Sequence, residues 1–238
     1  MLKKWLLMVS RDVNMASNLP EICDKKKKLL DDLTEKGILS KKTRQAMENI
    51  GRTRFVPAKY KNQAYEDRPI EIGAGQTISA PHMYAIMTSA AQIEQKKFYN
   101  ILEIGTGSGY QSAILAEILK QHGGGHVHTI ERITSLANKA RKLLNELGYG
   151  KIVTVHVADG SVGYPRAAPY DRILVTAGAP EIPDDLFDQL DEGGILIIPS
   201  GKEHQSLYSI KKQKGKRITK NLGGVAFVPL IGKKGWSR

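Results

Sequence analysis

The 238-residue sequence predicts an α/β fold, a doubly wound parallel sheet preceded by a helical segment and completed by antiparallel strands. Three observations carry that expectation. Asn100–Tyr110 reads as an apolar run (Ile101, Leu102, Ile104) that breaks into Gly105, Gly107 and Gly109 and resumes with helical spacing at Ala113, Ile114, Ala116 and Ile118. Strand, glycine turn and helix in that order let a ligand touch backbone at the carboxyl edge of a parallel sheet. From there to Pro199 short β-like runs alternate with helical stripes, the mark of parallel pairing. After Gly201 the period changes to two, as in antiparallel strands joining one edge.

Taken in order, residues 1–19 form an N-terminal extension. Its two lysines and the apolar run Trp5 to Val9 mimic a signal peptide, but the run is too short and no cleavage pattern follows; Met8 and Met15 are alternative starts. Residues 20–98 form a helical segment with a loop. Ile22, Leu29, Leu30 and Leu33 mark a helix over 20–36 that stops at Gly37, with Lys25 to Lys28 as its wet face. Ser40 caps a second helix through Ile50. Arg52 to Pro57 reads as extended, and residues 64–83 as a polar loop without clear period, a candidate active-site cover. Ser79 and Pro81 suggest a cap and first turn for a helix over 81–92. Residues 99–201 form the cofactor core: strands 101–105, 126–130, 152–157, 171–177 and 191–199, with helices 110–121, 133–147 and 183–190 between them. Residues 202–238 complete the sheet, with a turn at Gly215 and a last strand over 225–231.

The glycine spacing, G-x-G-x-G, departs from the dinucleotide fingerprint. A pyrophosphate seeks free N–H groups. S-adenosylmethionine instead presents a ribose, a sulfonium and an ammonium, which call for carboxylates. Glu103 lies inside the strand, Glu131 follows the next strand, where an acid can accept both ribose hydroxyls, and Asp159 follows the third, within reach of an adenine amino group. Three acids in register with one glycine turn favour adenosylmethionine over a nicotinamide cofactor.

The single cysteine, Cys23, permits no intrachain disulfide and suits a reducing compartment. No run is long enough to span a bilayer, so a cytoplasmic protein is expected. The net charge of +12 is uneven. Residues 1–61 hold 15 basic and 7 acidic residues and residues 201–238 hold 10 and 1, while the core between them is acidic. Such flanks can attract nucleic acid or acidic proteins, but solvated faces are the simpler reading.

The sequence closely resembles the protein-L-isoaspartate O-methyltransferases over roughly residues 28–238. The resemblance rests on Arg54-Phe-Val-Pro57, Ala64-Tyr-Glu-Asp-Arg-Pro69 and, most specifically, Gln76-Thr-Ile-Ser-Ala-Pro-His-Met83. Leu102–Tyr110, Asp159–Tyr164, Ala168–Asp171 and Phe227–Leu230 add to it. It implies a Rossmann-like methyltransferase sheet and methyl transfer from S-adenosyl-L-methionine, giving S-adenosyl-L-homocysteine, to the α-carboxyl of L-isoaspartyl residues in damaged proteins and peptides. The methyl ester then cyclises to a succinimide. It also implies cofactor contacts from Gln76, Thr77, Ile78 and His82, from Gly105, Thr106, Gly107 and Ser108, and from Arg132 and Gly160 beside the three acids. Substrate contacts fall to Thr77, Ile78, Ser79, His82 and the backbone of Val228.

That chemistry needs no general base, because a carboxylate is already ionised at neutral pH, and the sequence offers no metal-ligand cluster. It needs positioning and a few donors aimed at the acceptor oxygen, for which Ser79 is the catalytic candidate. His82 either orients the loop or contacts the cofactor. A nucleic-acid methyltransferase is disfavoured because Thr176-Ala-Gly-Ala-Pro180 lacks the acidic or amide residue and the paired prolines of the base-nitrogen enzymes, and no nucleic-acid partner is expected. A non-catalytic scaffold is disfavoured by the intact Ser79, Glu103, Glu131 and Asp159. Membrane partners are not expected, and a homo-oligomer is compatible with the sequence but not readable from it.

Overall fold

The computed structural model describes residues 19–93, 98–121 and 123–237. Of the 1–19 extension, with its apolar run and alternative starts, residues 1–18 lie outside the described residues, and Leu19 already opens a helix. Before the sheet come α1 (Leu19–Glu35), α2 (Lys41–Asn49), a hairpin of β1 (Ile70–Gly73) and β2 (Gln76–Ile78), and α3 (Pro81–Ala90). The sheet segment runs β3 (Tyr99–Ile104), α4 (Tyr110–Gln121), β4 (Gly125–Glu131), α5 (Thr134–Glu146), β5 (Val153–Val157), β6 (Tyr170–Val175), α6 (Asp184–Asp188), β7 (Leu190–Ser200), β8 (Gln205–Gln213) and β9 (Lys216–Val225).

The strands lie in the order β5-β4-β3-β6-β7-β8-β9. The first five are parallel, and β8 and β9 add antiparallel to the β7 edge. This is the expected doubly wound sheet. The chain leaves β3 toward β5, then returns to β6 on the other side, so the carboxyl ends of β3 and β6 diverge and open a crevice. Alternation along β3 sends Ile101 to the face that packs with Ile114, Leu115 and Leu144 of α4 and α5. It sends Leu102 and Ile104 to the opposite face with Ile173, Val175 and Leu196.

Five sequence expectations change. Residues 64–83 contain a hairpin, too short for its alternation to register, whose turn residues Ala74 and Gly75 both have positive φ, 53° and 68°. Arg52–Arg54 is a 3-10 turn rather than an extended stretch, and Arg52 is buried. The cap of α3 is Ala80, without a side-chain bond, so Ser79 does not cap the helix, although Pro81 does open it. Lys26 does not belong to the wet face of α1. Its Nζ donates to the carbonyls of Ile50 (3.0 Å) and Glu48 at the end of α2, and burial pushes its amine down to about 8. The last strand is β9, which ends at Val225, where a new strand was expected to begin. Residues 226–231 instead cross the carboxyl end of the sheet, bridging Gly178 through Pro229. Alternating apolar residues there serve a crossing segment that packs on the core at Leu230.

Ala74 holds a left-handed conformation that costs an L-residue about 1–2 kcal/mol. Asn tolerates that region better, so Ala74→Asn should raise the melting temperature by about 1–3 °C, read by thermal unfolding. A lowered melting temperature would contradict the turn geometry.

Candidate active site

The crevice between β3 and β6 is built by close approach. Thr176, just past β6, donates its hydroxyl to the carbonyls of Gly105 (2.7 Å) and Ile104 (3.0 Å). A Cβ at Gly105 would lie 2.3 Å from that hydroxyl, and φ there is +98°, so only glycine serves. The Gly105 amide bonds Ile130 O at 2.8 Å, tying the turn to the end of β4. A cleft partly open to solvent results. Its walls are Ile104, Gly105 and Gly107, then Ile130, Glu131 and Arg132, then Gly160, then Thr176 and Ala177, with Gln76 and Thr77 of the hairpin and residues 228–231 of the crossing segment.

Glu131 is fixed before any ligand arrives. Its two carboxylate oxygens accept from Gly107 N (3.0 Å) and Ile133 N (2.9 Å). Each oxygen keeps a second acceptor position, which is the capacity a pair of ribose hydroxyls requires. The hairpin hangs directly over this turn, since a Cβ at Gly107 would meet Ile72 Cδ1 at 3.5 Å. The carbonyl of crossing residue Val228 accepts from Gly178 N at 2.8 Å, and its own N–H has no backbone partner among the described residues. Gln205 pairs with both backbone groups of Phe227, at 2.8 and 3.1 Å, and sets that segment in place.

Thus, of the candidate site residues, Gln76, Thr77, Gly105, Gly107, Glu131, Arg132, Gly160 and Val228 meet at one cleft. Other candidates do not line it. Ile78 is a core residue, 1% exposed. Thr106 bonds Thr129 at 2.6 Å, and the Ser108 hydroxyl accepts from Tyr110 N at 3.4 Å. Ser79 follows directly on Gln76-Thr-Ile, half-buried, with its amide 3.2 Å from the Tyr84 hydroxyl. His82 bonds Asp67 through Nδ1 (2.8 Å) and its amide (2.9 Å), which joins the 64–69 loop to α3. Asp159 accepts from Ser161 N and Oγ (2.8 and 2.7 Å) and from Lys233 N (2.7 Å), clasping residues 232–234. Burial works against that charge, but those donors hold its carboxyl below the usual range. One acceptor position is left. Thr176, Ala177 and residues 229–231 also line the cleft and were not among the candidate site residues, although the rule that ligands bind at strand carboxyl ends points to Thr176. Among the described residues no group of three or more His, Cys, Asp or Glu could hold a metal ion, and no helix is long and apolar enough to cross a membrane.

Glu103 is a separate case. Strand alternation puts it on the α4 face, fully buried behind the glycine turn, where Ser112 donates to one oxygen. The Thr129 hydroxyl, 2.6 Å from that of Thr106, stands close, and among the described residues Glu103 Oε1 has no partner at hydrogen-bond geometry. A buried carboxyl with an open oxygen fits a cationic ligand group, as an adenosylmethionine ammonium would be. Without one, burial pushes it up to about 8.

A family model described as Protein-L-isoaspartate(D-aspartate) O-methyltransferase matches residues 24–235. A protein-L-isoaspartate O-methyltransferase of Methanosarcina mazei is 48% identical over 217 residues, 91% of this chain and 87% of the relative. One from Thermococcus onnurineus is 49% identical over 211 residues, 87% of this chain and 93% of the relative. Among solved structures, a Plasmodium falciparum protein of that name, in complex with S-adenosyl-L-homocysteine, superposes with a TM-score of 0.76 at 28% identity, covering 87% of this chain and 98% of its own.

The native state favours protonated Glu103. The stability this contributes is complete below the unfolded carboxyl's 4.5 and is lost as pH rises through about 8. Glu103→Gln should therefore raise the melting temperature of the ligand-free protein, little near pH 5 and by a few degrees at pH 8.5. Melting curves across that range check this, and a gap independent of pH would refute it.

Proposed function

Since this chain belongs to the protein-L-isoaspartate(D-aspartate) O-methyltransferase family, we propose that its cleft carries out methyl transfer to the α-carboxyl of L-isoaspartyl residues in damaged proteins and peptides. The observation that carries this reading is the hairpin hung over the glycine turn. Gln76 and Thr77 lie in the cleft wall, with Ser79 two residues further along the chain. Adenosylmethionine bound along the glycine edge supplies a sulfonium methyl and leaves as S-adenosyl-L-homocysteine. Glu131 would hold its ribose and Glu103 would face its ammonium, with Gly160 in the cleft wall packed so closely on Ile104 that a Cβ there would sit 2.6 Å from it.

The rest is done by the acceptor side. The substrate carboxylate arrives ionised, so no base is required. The chain must instead strip it of water and hold one oxygen on the line to the methyl, work that can supply several kcal/mol. Ser79 donates to that carboxylate, with neighbouring loop amides, and the Val228 N–H pairs with the substrate backbone. A grip made mainly of backbone suits a client defined by a lesion rather than by a sequence. The released ester closes to a succinimide unaided. An exposed, unpaired Cys23 suits a cytoplasmic setting.

Methyl incorporation into an isoaspartyl peptide, compared with its aspartyl twin and with RNA, tests the reading; incorporation into the isoaspartyl peptide alone is expected. Ser79→Ala should cut turnover at least tenfold while leaving S-adenosyl-L-homocysteine affinity within about threefold, and equal loss of both would contradict its role. Glu131→Ala should chiefly weaken that affinity, by tenfold or more in titration calorimetry; unchanged affinity would remove the ribose assignment.

A further inference from the structure

Arg52 is 0% exposed, yet its guanidinium bonds carbonyls rather than a carboxylate. Nε donates to Ala64 O and Nη2 to Ser79 O, each at 2.7 Å, while Nη1 has no partner among the described residues. Carbonyl dipoles satisfy N–H groups but do not cancel a charge. The aromatic rings of Tyr84 and Tyr110 lie 5.5 and 5.2 Å from the guanidinium carbon and stabilise the cation without neutralising it. Burying an ion without a counter-ion is costly, and a purely structural bridge between two carbonyls could be built with a neutral donor. The position is also particular. Tyr110 opens α4 directly after Gly109, at the end of the glycine turn, and Tyr84 meets the Ser79 amide. One guanidinium therefore abuts both the donor turn and the acceptor loop.

We infer that Arg52 is a positioning residue for the acceptor carboxylate, pinning Ser79 through its carbonyl and leaving beside it a positive charge that the substrate anion balances. This rests on the reading that Ser79 meets the substrate's α-carboxylate. The inference separates two effects. Pinning acts on any ligand at Ser79, whereas the charge discriminates a carboxylate from a neutral amide of the same shape.

The test measures binding of an isoaspartyl peptide and of its α-carboxamide analogue to the complex with S-adenosyl-L-homocysteine. Arg52→Met should weaken the carboxylate peptide tenfold or more and the carboxamide less than threefold, with S-adenosyl-L-homocysteine affinity within threefold of wild type. Arg52→Lys keeps the charge and loses the planar fork. It should hold the carboxylate-over-carboxamide ratio within threefold while lowering kcat, and it carries the test alone should Arg52→Met fail to fold. Equal weakening of both peptides in Arg52→Met, unchanged carboxylate affinity, or collapse of the ratio in Arg52→Lys would overturn the inference. A wild-type protein that binds both peptides equally, or methylates neither, would instead sink the Ser79 reading and take this inference with it.

Discussion

The structure depends on how closely the end of β6 approaches the end of β3. The Thr176 hydroxyl occupies the space a side chain at Gly105 would fill and bridges two carbonyls there. That contact fixes the glycine turn at the point where the chain's path across the sheet reverses, and everything else is hung from it. The turn's amide at Gly107 orients Glu131. The hairpin rests on Gly107 through Ile72, and the crossing segment closes the far wall through Gly178. A fold of this kind makes its cleft from backbone, so the cleft's shape follows from strand order more than from any one side chain.

Charge is divided across the cleft in a way that fits the chemistry. The donor side carries acids: Glu131 is already oriented, and Glu103 is buried and short of a partner. On the proposed acceptor side buried Arg52 donates to the Ser79 carbonyl, and among the described residues no carboxylate pairs with it. A reaction that brings a cationic donor and an anionic acceptor together needs each half to be incomplete until its ligand arrives. Both halves are assembled from residues that are costly to bury alone, which is the usual tension between stability and activity at a working site.

Much of this was legible in the sequence. The β/α alternation, the glycine turn and the acids after β4 and β5 announced the sheet and its ligand edge, because their signals are local in the chain. The hairpin at 70–78 was not legible, because its two strands are four and three residues long and its turn uses an alanine at positive φ. Arg52 was hidden for a different reason. Its partners Ala64, Ser79, Tyr84 and Tyr110 are spread along the chain, and nothing local distinguishes a buried arginine from a surface one. Ser79 was read as a helix cap as well as a donor. The cap position falls one residue later, at Ala80. Asp159 looked like an adenine ligand, and it also clasps the amide of Lys233, a contact no spacing rule anticipates.

The outer edge of the sheet has its own consequence. β9 pairs only with β8 among the described strands, and most of its ten residues are exposed, Ile218 among them. Lys216, Arg217 and Lys220 stud it, so the basic C-terminal flank is largely a charged rim on an open ladder of amides and carbonyls. Such a ladder recruits loose polypeptide unless charge discourages it. The basic rim along β9 therefore works against annealing of a further strand at this edge.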